Sequence, residues 1–513
     1  MLTVRPVPCF ALSLAIGSVA ACRGVAQEQV PTIRPMCCAG TWYPGDASEL
    51  SAYVDDLLAK VPPPKLDGPP LAVIVPHAGY RYSASVAATA YRALKGRRYK
   101  RVILLGFSHR YAGAYEGVNL PTEWSVYRTP LGSVPLDREG MDRLKKEQPF
   151  LSREGIDRDE HSLELQVPFL QRTCGEFKLL PMLVGRMSSR QYAAAAKAIL
   201  PLLDADTLIV VSSDFTHFGP NYGYEPFRDD VRKKLAELAD QASAPLLNCD
   251  FDGFLAHLDK TEDTICGRGP ILLLLRILSV HGGAAAVRSG FDTSGRMTGD
   301  WTNSVTYQAF VFTRRPPLFD RALREALLRL ARETVTAYVS ERRMPAVDPA
   351  KLPAPLREDG ACFVTLKNHG DLRGCIGNME ARGPLYESVI SNAVHACQDP
   401  RFVAHPVTAA ELKRIDIEIS RLTPMKRVKD FNELIVGRHG LLIELGVNRG
   451  VLLPQVAYEE GWTREEFLSR VCWKAGLPLD AWKKPEAVLY SFEAEVFGER
   501  EPEAASQPSA SAR

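Results

Sequence analysis

The stretch LAVIVPH at residues 71–77 decides the fold, read together with two others built the same way, VILLGFSH at 102–109 and LIVVSSDFTH at 208–217. Each is a short apolar run of the kind that forms a strand buried on both faces. Each is followed within a few residues by a histidine: His77, His109 and His217. Parallel strands of one sheet end at one edge, so three imidazoles are expected along the carboxyl edge, where open α/β sheets bind ligands. A thiol joins them. Cys266, in TICGRGP at 264–270, directly precedes the helix-like run ILLLLRILSV. Two imidazoles, a third nearby and a thiol at a helix start make a candidate transition-metal site.

Outward from these runs, apolar strands alternate with amphipathic helices from about residue 39 to 313. SASVAATAYRAL (83–94), SLELQVPFLQRT (162–173) and QYAAAAKAILPLL (191–203) read as helices, and FKLLPMLVG (177–185) as a further strand. This alternation predicts an α/β domain with a largely parallel sheet. Arg314-Arg315-Pro316-Pro317 interrupts it, because proline lacks the amide donor that a helix or central strand uses. The boundary is therefore expected near 314–320. A helix, FDRALREALLRLARETVTAYV (319–339), opens a second block, and CFVTL-KNHGD-LRGCIG (362–377) reads as a hairpin. The closing EPEAASQPSASAR cannot bury a core and is expected to be disordered. The divisions are then 1–30 as a leader, 31–315 and 318–499 as two domains, and 500–513 as a tail.

The chain has 513 residues, too many for one ordinary core. Its 63 basic and 61 acidic residues nearly balance, and no basic run stands out, so nucleic acid is not an expected partner. At the N-terminus, CFALSLAIGSVAA is apolar and of signal-peptide length but too short to span a bilayer. It ends in Val19-Ala20-Ala21-Cys22, similar to a lipoprotein processing site with Cys22 as the anchor, while Gly24-Val25-Ala26 suits ordinary cleavage. Export is the expectation, to the periplasm or to a lipid anchor, with a cytoplasmic location as the alternative. The eleven cysteines have no disulfide-framework spacing, which argues the other way.

AGTWYPGD (39–46), PHAGYRYSAS (76–85), GFSH (106–109), YRTPLG (127–132), DEHSLELQVPFL (159–170), SSDFTHFG (212–219) and TICGRGP together resemble the Memo family. That family is similar in fold to class III extradiol dioxygenases, the LigB-like non-haem iron enzymes. The resemblance implies that His77, His109 and Cys266 hold iron(II) or copper(I), with His217 as the general base. Cys266 stands where the dioxygenases use glutamate. LRGCIG (372–377), DPRF (399–402), EISRLTP (418–424), GVLLPQVA (450–457) and GWTREEFLSRVCWKAGLPLDAW (461–482) resemble an AMMECR1 domain, of α+β class. The two families, with a radical SAM protein, form the grouping called AmmeMemoRadiSam, and this chain looks like its B and A components fused. A radical SAM partner and a small-molecule substrate are implied.

Several residues carry two readings. Asp214, three before His217, could orient that imidazole or itself bind metal. His161 and Glu164 share a helical face at i and i+3, or simply belong to an acidic helix start. Cys266 is a metal thiolate, its acidity raised by the helix start and Arg268, or a packed thiol. Arg373 and Cys375 suggest a nucleophile with an anion anchor, or a strand with alternating faces whose Gly374 and Gly377 permit close packing. His395, Cys397 and Asp399 are suggestive in the same way. The function classes left open are a dioxygenase-like redox enzyme, a non-catalytic metal carrier, and a scaffold partner of a radical SAM enzyme.

Overall fold

The computed structural model describes residues 31–499, except 281, 282, 316, 318 and 403. The expected leader with Cys22 and the expected C-terminal tail lie outside the described residues. No helix among the described residues is long and apolar enough to cross a membrane.

The apolar runs form the expected strands: β1 (Pro70–Val75), β2 (Arg101–Gly106), β3 (Lys178–Val184) and β4 (Thr207–Ser212). They lie side by side in the order β1-β4-β2-β3, all parallel. β1 and β4 are buried along their whole length, since helices cover both faces of the sheet. The parallel core does not run to the edges. Two long strands, β5 (Ala284–Thr293) and β6 (Ser304–Arg314), form an antiparallel pair, and β6 also pairs antiparallel with β1. On the far side the short strand Val118–Asn119 runs antiparallel to β3. The sheet is thus mixed, because a hairpin closes one flank where no helix crossover follows β5.

Beyond Arg314 the chain enters the helix Arg321–Glu341 and then a fully antiparallel sheet. Its strands are β7 (Ala361–Asn368), β8 (Asp371–Gly377), β9 (Ile415–Leu422), β10 (His439–Leu445), β11 (Asn448–Leu452) and β12 (Val488–Gly498), ordered β8-β7-β9-β12-β10-β11. The first half packs under Arg321–Glu341 and Leu385–Cys397, and the second under Arg464–Lys474, with separate apolar cores. The two domains meet through the ion pair of Arg464 with Asp250, 2.7 Å long and mostly buried.

Candidate metal centre

The order β1-β4-β2 places the loops after three neighbouring strands side by side, so His77 and His109 meet across the loop that follows β4. Their ring centroids are 5.2 Å apart. A third ring joins them, from the first residue of the helix His161–Glu164. His161 stacks on His109 at 4.0 Å and stands 5.5 Å from His77, with Trp42 on its other side at 4.3 Å. One ring nitrogen from each of His77, His109 and His161 falls within 4.8 Å of the other two.

Hydrogen bonds outside the cluster decide which nitrogens are free to bind a cation. Ser212 Oγ donates its one proton to the Ser162 carbonyl at 2.5 Å and accepts from Gln166 Nε2 at 2.8 Å. It can therefore only accept from His77 Nδ1, 3.0 Å away, which puts the His77 proton on Nδ1 and leaves the Nε2 lone pair open. Glu160 does the same for His109: its carboxylate accepts the His109 amide at 2.7 Å and Nδ1 at 2.9 Å, and the Ser162 amide at 2.8 Å. Such outer hydrogen bonds orient metal-binding imidazoles and make them better donors.

The electrostatics agree with this arrangement. Burial drives the His77 imidazole well below its ordinary value, helped by His109, His161 and His217. Burial, and next His109, lowers His161 to about 4. Both rings are therefore neutral near pH 7, the form that binds metal. Burial alone would raise Glu160, but the His109 hydrogen bond and the neighbouring histidine charges outweigh it and hold the carboxyl at about 2.

Cys266 reaches the cluster through His77, its Sγ 3.1 Å from the free Nε2. It is brought there by Gly267, where a Cβ would overlap the Ser213 side chain. The Gly267 amide donates to Ser213 Oγ at 3.0 Å, and the Asp214 amide donates to Cys266 Sγ at 3.2 Å. The thiol is not acidified as the helix start and Arg268 led one to expect. Burial, and next the Asp214 carboxylate, push the Cys266 thiol well above its ordinary value. A cation entering the site would have to displace the proton.

His217 sits at the margin. Its Nδ1 faces two carbonyls, of Phe215 at 2.9 Å and Thr264 at 3.2 Å, so Nδ1 carries the proton and Nε2 is free. Asp214 is turned the other way: its Oδ1 accepts the amides of His77 at 2.7 Å and Ala78 at 3.2 Å. It positions the His77 loop and makes no hydrogen bond with the His217 ring. Cys266 and Phe107 also line a cavity of about 790 Å³, with Tyr111, Tyr192, Arg186 and Arg268 among its walls.

In the second domain Arg373 is tied to Glu411 at 2.9 Å and offers no free anion anchor beside Cys375. Cys375 Sγ accepts from Thr365 Oγ1 at 3.2 Å, and its amide donates to Asp399 Oδ2 at 2.9 Å. Asp399 in turn pairs with Arg401 at 2.6 Å. Gly374 presses on the Ala396 carbonyl so closely that any Cβ would collide with it, which supports the packing reading. The His395 ring makes a long contact with Ser391 Oγ, and Cys397 is buried with its thiol on the Ala393 carbonyl.

Imidazoles with preset tautomers, a thiol and a cavity at the carboxyl edge of a parallel sheet define an α/β protein with a candidate metal centre. The chain belongs to the Memo-like protein family, whose model matches residues 34–311, and it carries an AMMECR1 domain matched over 328–497. It is similar to Protein TK0174 of Thermococcus kodakarensis, 45% identical over 189 residues that cover 35% of this chain and 91% of the relative. Protein MK0488 of Methanopyrus kandleri is 44% identical over 191 residues, 35% of this chain and 89% of the relative. The crystal structure of the uncharacterized protein PH0010 from Pyrococcus horikoshii covers 36% of this chain and 96% of its own, at 37% identity and a TM-score of 0.34.

Proposed function

We propose that the Memo-like domain is a redox metal centre of the class III extradiol dioxygenase kind, binding iron or copper through His77, His109 and Cys266, with His161 as a further donor. The observation that carries this reading is the outer hydrogen bonding by Ser212 and Glu160, which frees one nitrogen on each of two neighbouring imidazoles. The donor set fits: neutral nitrogens suit either metal, and a thiol favours the softer copper(I). When bound, such an ion supplies an electron-transfer and Lewis-acid centre to a ligand beside it. The chain's own residues would do the rest. Arg186 and Arg268 would anchor an anionic group in the cavity, Phe107 and Tyr192 would exclude water, and His217 Nε2 would take or return a proton.

A second reading, that of a metal carrier or a scaffold for a radical SAM enzyme, is favoured by Cys266 itself. A thiol where dioxygenases use glutamate is readily oxidised and suits holding a metal better than repeated reaction with dioxygen. Protein purified anaerobically without added metal and analysed for its elements, then tested for dioxygen uptake with catechol, separates these readings. Iron or copper with uptake supports the enzyme. Metal without uptake supports the carrier, and absence of both metals contradicts the centre.

A further inference from the structure

A second group of soft donors gathers away from the imidazoles. Cys37 and Cys38 lie between the strand Ile33–Arg34 and the helix Ala47–Lys60, their sulfurs 3.5 Å apart. Cys37 Sγ is 3.1 Å from Glu164 Oε2, and one donor atom from each of the three residues lies within 4.8 Å of the others. The carboxylate is held in place by the amides of Cys37 and Cys38, each at 2.9 Å, by Tyr43 Oη at 2.8 Å and by Arg34 Nη1 at 2.6 Å.

The two sulfurs are poorly placed to bond to each other. Neighbouring Cα atoms are about 3.8 Å apart across a trans peptide, short of the roughly 4.4 Å at which ordinary disulfides begin. They are well placed to share an ion, because two thiolates each about 2.3 Å from one tetrahedral metal are about 3.8 Å apart. Two thiolates and a carboxylate carry three negative charges, of which a divalent ion offsets two, while the buried Arg34 guanidinium is shared between Glu164 and Asp157. Cys37 is exposed, so the site opens to solvent.

We propose that Cys37, Cys38 and Glu164 form a second metal site, for a thiophilic divalent cation of the zinc(II) or cadmium(II) kind. It is separate from the imidazole centre and does not depend on that centre's function. The two are neighbours: the Glu160 carbonyl accepts from Arg34 Nη2 and lies 3.6 Å from Cys37 Sγ, while the Glu160 carboxylate holds His109.

Cadmium(II) is the probe. The full chain carrying His77→Ala and His109→Ala should bind one cadmium(II) with thiolate-to-metal ultraviolet absorption, and adding Cys37→Ser and Cys38→Ser should abolish both. Cadmium binding that survives the serine substitutions, or none in a folded His77→Ala/His109→Ala chain, overturns the proposal. A second measurement needs no substitution. In the unaltered chain cadmium(II) should slow alkylation of Cys37 by iodoacetamide by about ten-fold or more, since the bound thiolate is no longer the free nucleophile, and an unchanged rate overturns the proposal. Iron content unaffected by Cys37→Ser/Cys38→Ser would show that the imidazole centre stands apart from this result.

Discussion

Glu160→Gln is the substitution whose effect the structure defines most closely. The carboxylate is 2% exposed and accepts three hydrogen bonds, two from His109 and one from Ser162. Glutamine offers one oxygen for these donors and turns an NH2 toward another, so at least one buried donor faces a donor. The carboxyl is held at about 2 against an ordinary 4.5, which sets an upper bound of about 3 kcal/mol favouring the folded, ionised form, since part of the lowering comes from charged histidines. The sign follows from the lowered value: this stability is present above about pH 4.5 and is lost as pH falls through about 2. Urea unfolding of the metal-free protein should therefore show the variant less stable by up to about 3 kcal/mol at pH 7, the gap narrowing by pH 3. Metal affinity, read by competition with a chromogenic chelator, should fall about 10- to 100-fold, because His109 loses the group that orients it. A variant as stable as the parent at pH 7, or a gap that does not change with pH, would refute this reasoning.

Cys266→Ser should weaken copper(I) binding more than iron(II) binding, since a hydroxyl is a poor soft ligand; equal loss in anaerobic titrations of the two ions would make Cys266 a packed thiol only. His217→Ala should reduce any turnover while leaving metal content unchanged, and loss of metal would move His217 into the ligand set. His161 is lowered to about 4 by burial and His109, so the unfolded chain takes up its proton below about pH 6.5 and the folded chain does not. The metal-free protein should lose up to about 3 kcal/mol from this group between pH 6.5 and 4. His161→Phe, which keeps the stacking, should flatten that part of the urea-midpoint profile against pH.

Much of this architecture was legible because apolar runs and the histidines after them are local signals. LAVIV, VILLG and LIVV have the length and apolar character of buried strands, and their shared carboxyl edge set His77 and His109 side by side. What escaped reading depends on contacts far apart in sequence. His161 sits in an acidic segment that reads equally well as a helix start, and only the fold stacks it on His109. The tautomer of His77 is set by Ser212, 135 residues away. Asp214 looked like a partner for His217 because it is near in sequence, but the loop turns its carboxylate to the amides of His77 and Ala78. Cys37 and Cys38 have no metal-motif spacing, and their third donor, Glu164, lies more than a hundred residues on. The antiparallel flank formed by β5 and β6 also escaped, since alternation of strands and helices says nothing of edge direction.

The most direct test of the central claim is the metal content of two full-length proteins purified anaerobically, both carrying Cys37→Ser and Cys38→Ser so that the second site is silent. One keeps His77 and His109 and the other has both replaced by alanine. The account predicts close to one iron or copper per chain in the first and almost none in the second, with both folded. Equal metal in the two proteins would contradict it.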